Sequence, residues 1–304
     1  MQYIVTGATG FVGKSFVSEL LNKGEKVTAL IRNRSKIPEE WKSIVRIIET
    51  DLQNLKEVRL EKQEDSCFVH MAWEGTSGQD RADEKKQWKN IKGIQSAIEL
   101  AADLGCKRFV YTGSIMEYEA MKALTYDGFQ PGSGMIYSTA KLAGDFLARI
   151  WCQKYNLEYV CVIISNIYGP GEKSERFLNT LIRKMIKDES IDLTQGDQLY
   201  DFIYITDAVQ GIYLAAQKGE NCNSYYLGNV TPQRLKDYIL QTKKILGSKS
   251  ILNFGSIAYG GIPLTWEEFD TTKLQAMGFT PEVSFEQGVL ACKKQIEDEG
   301  IQIG

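Results

Sequence analysis

The sequence predicts an α/β fold, a doubly wound parallel sheet with a smaller C-terminal substrate-binding lobe. Three observations carry that prediction. Six runs rich in Val and Ile, "YIVTG", "KVTALI", "VRIIET", "CFVHMA", "RFVYTG" and "YVCVIIS", are apolar on both faces, as strands buried in a parallel sheet must be. Longer amphipathic segments alternate with them; in 85–104, Trp88, Ile91, Ile94, Ile98 and Ala101 recur at helical spacing. The first run closes on a glycine-rich turn that feeds a helical pattern, which is how a βαβ chain begins.

The first strand gives way to Thr6-Gly7-Ala8-Thr9-Gly10-Phe11-Val12-Gly13, and the helical pattern starts at Phe11. Glycines let such a turn fold sharply and approach a pyrophosphate at the positive end of the helix. Gly7, Thr9, Gly10, Phe11, Val12 and Gly13 are therefore assigned to a dinucleotide. The second strand, "KVTALI", runs into Arg32 and Arg34, where many nucleotide-binding folds place an acidic residue. A carboxylate there binds the 2′-hydroxyl of NAD and repels a 2′-phosphate. Arginine does the opposite, so the pair points to NADP(H), with NAD as the alternative.

After the fifth strand come the short segment 118–126 and a longer helical pattern over 135–155. Beyond about residue 165 the texture changes. "NIYGPGEKSER" reads as a loop, "FLNTLIRKMIK" as a helix, and "IDLTQGDQLYDFIYITDAVQGIYLAA" as a strand pair followed by a helix. The expected division is a dinucleotide-binding domain over 1–165, with 190–220 returning to it, and a substrate-binding lobe over 166–189 and 221–304. With no linker between them, the two should pack as one body around a cleft.

The 304 residues are 43% hydrophobic and 25% charged, with a net charge of −3, an ordinary soluble composition. That balance argues against nucleic acid as a partner, and no run is long and apolar enough for a membrane span. The chain enters its first strand with no basic leader or signal core, and its six cysteines form no CxxC pair. A reduced, cytoplasmic protein is expected. The only histidine, His70, rules out multi-histidine metal sites and catalysis built on a separate histidine base; no metal is expected.

Two Tyr-x-x-x-Lys pairs occur, Tyr118 with Lys122 and Tyr137 with Lys141. On a helix this spacing puts both side chains on one face, where an ammonium can lower a phenol's pKa from its reference near 10. The motif alone does not choose between them, although only the second lies in a long helical pattern.

Together, "TGATGFVG", the Tyr137-Ser-Thr-Ala-Lys141 element, "NIYGPG", "DFIYITD" and the terminal "FDTTKLQAMGFTPEVSFEQGV" resemble the extended short-chain dehydrogenase/reductases, the NAD-dependent epimerase/dehydratase family that works on nucleotide sugars. The resemblance covers nearly the whole chain and implies a Rossmann-type fold with Ser114, Tyr137 and Lys141 as catalytic residues. Tyr137 would be general acid or base while hydride moves to or from the nicotinamide, and Lys141 would also hold the nicotinamide ribose. The resemblance further assigns Asp51 and Leu52 to the adenine end, Met71 and Ala72 to the cofactor, and His70 to structure. Trp73, Glu74 and Gly75 would border the sugar, and Asn166 would touch the nucleotide sugar. An arginine commonly clamps the diphosphate where this chain has Tyr200, so Arg176 or Arg183 would replace it.

Dehydratases of the family carry an Asp-Glu pair after the strand-end serine or threonine. Here Ile115 and Met116 stand there and cannot transfer protons, and Glu117 is displaced by one residue. With Arg32, this favours NADPH-dependent reduction of the 4-keto group of a nucleotide-linked deoxysugar. An NAD-dependent epimerase is the alternative, and a non-catalytic NADP-binding sensor a third reading. The resemblance also implies a homodimer through the helices matching 85–104 and 137–155.

Overall fold

The computed structural model describes residues 1–300. The chain runs β1 (Gln2–Thr6), α1 (Phe11–Asn22), β2 (Lys26–Ile31), β3 (Arg46–Glu49), β4 (Ser66–His70), α2 (Glu84–Asp103), β5 (Arg108–Ser114), α3 (Met116–Ala123), α4 (Met135–Lys154) and β6 (Glu158–Ile164). It continues through β7 (Asn166–Tyr168), α5 (Phe177–Ile186), β8 (Ile191–Leu193), β9 (Leu199–Tyr200), β10 (Phe202–Tyr204), α6 (Ile205–Lys218) and β11 (Asn223–Leu227). The remainder is β12 (Gln233–Arg234), α7 (Leu235–Leu246), β13 (Leu252–Phe254), α8 (Thr272–Gln275) and α9 (Phe285–Asp298).

Seven strands form one parallel sheet in the order β11-β6-β5-β4-β1-β2-β3. The chain builds outward from β1 through β2 and β3, then returns to β4 and builds the other way. The reversal lies between β1 and β4, where the carboxyl ends of neighbouring strands open a crevice. This is the Rossmann-type architecture that the six apolar runs predict.

The two-faced apolarity of the runs has a direct cause. In β1, Tyr3 and Val5 join Phe16, Val17, Val209 and Ile212 from α1 and α6 on one face. Ile4 joins Ile94, Ala97, Ile98 and Ala148 from α2 and α4 on the other. Each fully buried side chain of this size contributes roughly 1.5–3 kcal/mol of transfer free energy, so the sheet needs a helical layer on both sides. A third cluster fills the smaller lobe, where Phe202, Tyr238 and Phe285 meet edge to face or tilted, with ring centroids 4.8–6.1 Å apart.

Three expectations are corrected. Asn223–Leu227, assigned from sequence to the second lobe, forms the edge strand of the main sheet and pairs with β6. Helix α6 packs back against α1 and the sheet, so the chain leaving it lands beside β6. Residues 191–204, expected to return to the first domain as a strand pair, instead pair inside the second: β8 with β13, β9 with β12, β10 with β7. The partner of β10 is Asn166–Tyr168, read from sequence as loop. The last four residues of the expected lobe lie outside the described residues. Five cysteines are buried and Cys222 is exposed; all are free. No helix among the described residues is long and apolar enough to cross a membrane.

Candidate active site

Two clefts open at the carboxyl ends of the strands and share Met71 and Trp73. The first is lined by Gly7, Thr9 and Gly10 from the turn after β1, with Leu30, Arg32, Asp51, Leu52, Ala72 and Glu74. Gly7 has φ +72°, and a Cβ there would stand 2.7 Å from the Ala72 backbone nitrogen, so only glycine fits. Gly13 lines neither cleft; it lets α1 press against the turn, where a Cβ would collide with the Gly7 carbonyl. Phe11 packs against the core, and Val12 faces the second cleft. Gly10 caps helix α1 without a side-chain hydrogen bond, and the helix has no acidic residue in its first turn. Its N–H groups and dipole therefore remain available to an anion, and the cradle fits the pyrophosphate of a dinucleotide.

At the far end of this cleft Arg32 Nη1 lies 3.6 Å from Glu74 Oε2, with Lys36 and Lys89 also on the wall. Two assignments change here. Arg34 does not line the cleft: it pairs with Glu49 at 3.4 Å and donates to the Ile47 carbonyl at 3.3 Å, because Asn33 turns the chain into a short 3₁₀ helix by accepting from Ser35 N–H. Glu74, expected beside the sugar, sits opposite Arg32; Asn90 fixes its backbone by accepting from its N–H at 2.9 Å and donating to its carbonyl at 2.8 Å. Asp51 lines the cleft and accepts the Gln53 N–H at 3.0 Å.

The second cleft brings Ser114, Tyr137 and Lys141 together with Asn166, Arg176 and Tyr200. Ser114 ends β5, and Tyr137 and Lys141 share one buried face of α4. Ser114 Oγ accepts the Met116 N–H at 3.3 Å, and its side chain lines the cleft with Tyr137. Lys141 Nζ donates to the Thr112 carbonyl at 2.9 Å and lies 3.8 Å from the centre of the Trp73 ring. Trp73 is fixed in turn by donating Nε1–H to Gln87 at 2.8 Å and by an edge contact with Tyr137.

Burial raises the pKa of Tyr137 above the ordinary phenol value, against the lowering pull of the nearby Ser114 hydroxyl and of Arg176 and Arg81. The expected net lowering does not appear, because desolvation of the buried phenol outweighs the favourable charges around it. Burial also pulls Lys141 down from the usual lysine range, to about 8, with the nearby Glu117 charge opposing. The arrangement can keep a neutral phenol beside a serine hydroxyl, ready to give a proton to a carbonyl oxygen.

His70 is buried, meets Thr6 Oγ1 at 3.0 Å through Nδ1, and is held neutral by burial and Lys141, with its pKa near 3. Arg183 pairs with Glu299 at 3.8 Å and does not line the cleft, whereas Arg176, beside Glu172, does. Sequence reasoning missed Arg81, whose guanidinium lies 4.6 Å over the Tyr137 ring on the cleft wall. It comes from the short 3₁₀ helix Gly78–Ala82, a polar stretch with no periodic signal. Lys36 was likewise unmarked; a basic residue in a loop carries no pattern of its own.

Residues 3–228 match the model of the NAD dependent epimerase/dehydratase family. The CDP-abequose synthase of Salmonella typhimurium is 27% identical over 305 residues, covering 96% of this chain and 97% of that protein. Among solved structures, MoeE5 in complex with UDP-glucuronic acid and NAD superposes with a TM-score of 0.80 at 24% identity, covering 98% of this chain and all of that one. The UDP-glucose 4-epimerase of Thermotoga maritima, solved with UDP-glucose, gives a TM-score of 0.77 at 19% identity, covering 98% and 99% of the two chains. These likenesses run through both lobes, and the chain belongs to the NAD dependent epimerase/dehydratase family.

Proposed function

We propose that the protein is an NADPH-dependent reductase of the 4-keto group of a nucleotide-linked deoxysugar. The observation that carries the reading is the basic wall at the end of β2, where Arg32 and Lys36 line the first cleft and β2 is followed by no carboxylate. A net reductase consumes an exchangeable dinucleotide, which a 2′-phosphate marks. The similarity to CDP-abequose synthase supports the same reading.

When bound, the nicotinamide would supply hydride to the carbonyl carbon. The protein's part is to receive the developing charge. Ser114 donates a hydrogen bond to the carbonyl oxygen, and Tyr137 gives it a proton, leaving a phenolate that the buried Lys141 ammonium stabilises. Lys141 would also hold the nicotinamide ribose, and Met71 and Ala72 would floor it. Ile115 and Met116 offer no group for eliminating water. Trp73 and Asn166 would border the nucleotide sugar, and Arg81 and Arg176 would meet its diphosphate beside Tyr200. A homodimer through α2 and α4 fits the outward-facing Trp88, Phe146 and Ile150, which are 63%, 65% and 47% exposed.

One observation favours a second reading, an NAD-dependent epimerase: Glu74 already pairs with Arg32 at 3.6 Å. The test is to identify any nicotinamide carried by the purified protein, then titrate it with NADPH and NADH. The reductase reading expects an empty protein that prefers NADPH, with Arg32→Ala losing about 10-fold or more in NADPH affinity and little for NADH. Tightly held NAD, with an Arg32→Ala variant indistinguishable from the parent, would favour epimerisation.

A further inference from the structure

Trp73 and Arg81 both lie against the Tyr137 ring, and both are placed by one side chain that lines neither cleft. Gln87, on α2, is 1% exposed. Its Oε1 accepts the Trp73 Nε1–H at 2.8 Å, and its Nε2 donates to the Gly75 carbonyl at 3.0 Å and to the Asp80 carbonyl at 3.2 Å. One acceptor and two donors in these places describe a carboxamide; a carboxylate, a hydroxyl or an apolar group cannot meet all three. The loop is folded to fit it. Gly75 has φ +74°, and a Cβ there would stand 2.7 Å from the Asp80 carbonyl oxygen and 2.9 Å from Gln87 Nε2. The Asp80 side chain is held in turn by Lys86 at 2.6 Å.

Two arms run from this amide to the phenol. The Trp73 ring presents its edge to Tyr137 and has Lys141 Nζ 3.8 Å from its centre. Asp80 belongs to the 3₁₀ helix Gly78–Ala82, whose next residue, Arg81, puts its guanidinium 4.6 Å from the centre of the Tyr137 ring. The buried Arg81 Nε has no hydrogen-bond partner, so the guanidinium is placed by the backbone that carries it and by the ring beneath it. We propose that Gln87 is a positioning residue, a buried carboxamide that sets Trp73 and Arg81 around Tyr137 and so holds the proton donor in its reactive geometry. The inference rests on the role given to Tyr137 in the proposed reaction. The cation over its ring favours the phenolate that remains once the proton has left.

Gln87→Met keeps the length and removes all three hydrogen bonds. Gln87→Glu keeps the acceptor for Trp73 and can make at most one of the two donated bonds. The Tyr137 ring signal, in protein carrying ¹³C-tyrosine, and the Trp73 indole N–H signal are assigned by their loss in Tyr137→Phe and Trp73→Phe and followed by NMR without substrate. The Tyr137 signal should move in both Gln87 variants. The Trp73 signal should move in Gln87→Met and stay near the parent's in Gln87→Glu. Where thermal melts show each variant folded, kcat should fall by about 10²-fold in Gln87→Met, the cost of a ~1 Å misplacement, and by less in Gln87→Glu. An unmoved Tyr137 signal in either variant that folds would overturn the proposal. So would a variant that loses thermal stability yet turns over at the parental rate while folded, which is the behaviour of a merely structural amide. The NMR signals need no turnover, so a protein that reduces no keto-sugar would sink the functional reading, while moved signals would leave the placement of Tyr137 by Gln87 standing.

Discussion

Helices α3 and α4 carry the same four-residue Tyr–Lys spacing and put it to different ends. On α3, Lys122 reaches the surface and pairs with Glu268 at 2.8 Å, while Tyr118 is half-buried against the edge of the core. On α4, Tyr137 and Lys141 are both buried, both border the second cleft, and are held by Thr112 and Trp73. Spacing puts two side chains on one face of a helix; what that face meets decides whether the lysine reaches a surface carboxylate or is buried with its tyrosine at a cleft wall. The difference is one of packing, not of motif.

The largest expected contrast is between the tyrosines. Tyr137→Phe should lower kcat by about 10²–10⁴ while NADPH still binds. Tyr118→Phe should leave kcat within a small factor and thermal stability nearly unchanged, since the ring that packs against the core is kept and no hydrogen bond is lost. Steady-state kinetics on both variants, with cofactor titration, separates the two sites.

The lysines should differ next. Lys141→Met should cost ~10²-fold or more in kcat, because the phenolate left after proton transfer loses its neighbouring charge. Lys122→Met should leave kcat unchanged and cost less than about 1 kcal/mol, the usual range of an exposed ion pair. Burial disfavours the Lys141 ammonium, so the group loses its proton at lower pH than an ordinary lysine. The parent's kcat should therefore fall as pH rises through about 8. A profile flat to pH 10 would put the essential ammonium elsewhere.

How far the sequence revealed this follows the same line. The sheet was legible because its strands are buried on both faces and so are continuously apolar, and the phosphate turn was legible because its glycines have no substitute. Edge strand β11 was not: its first residues, Asn223 and Ser224, are half-buried and polar, and pairing on one side only leaves no apolar run. Short strands β8 and β10 were visible, but their partners, fifty or more residues on for β8 and in a supposed loop for β10, were not. In the site, residues set by helical spacing and strand ends landed in the clefts. Those on loops divided: Asp51, Trp73 and Arg176 line the clefts, but Arg34 turned to Glu49, Glu74 turned to Arg32, and Arg81 was unmarked. A long charged side chain on a loop is aimed by tertiary contacts that no local period encodes.

The central claim is that Tyr137 protonates a sugar carbonyl that receives hydride from an exchangeable NADPH. Its most direct test follows deuterium from reduced NADP labelled at the transferable position of C4 into a nucleotide-linked 4-keto-6-deoxysugar. The account predicts deuterium at the sugar C4 in proportion to NADPH consumed, and product from Tyr137→Phe slower by about 10²–10⁴. A protein that consumes no NADPH and interconverts C4 epimers on its own bound NAD would contradict it, as would a Tyr137→Phe variant that turns over at the parental rate.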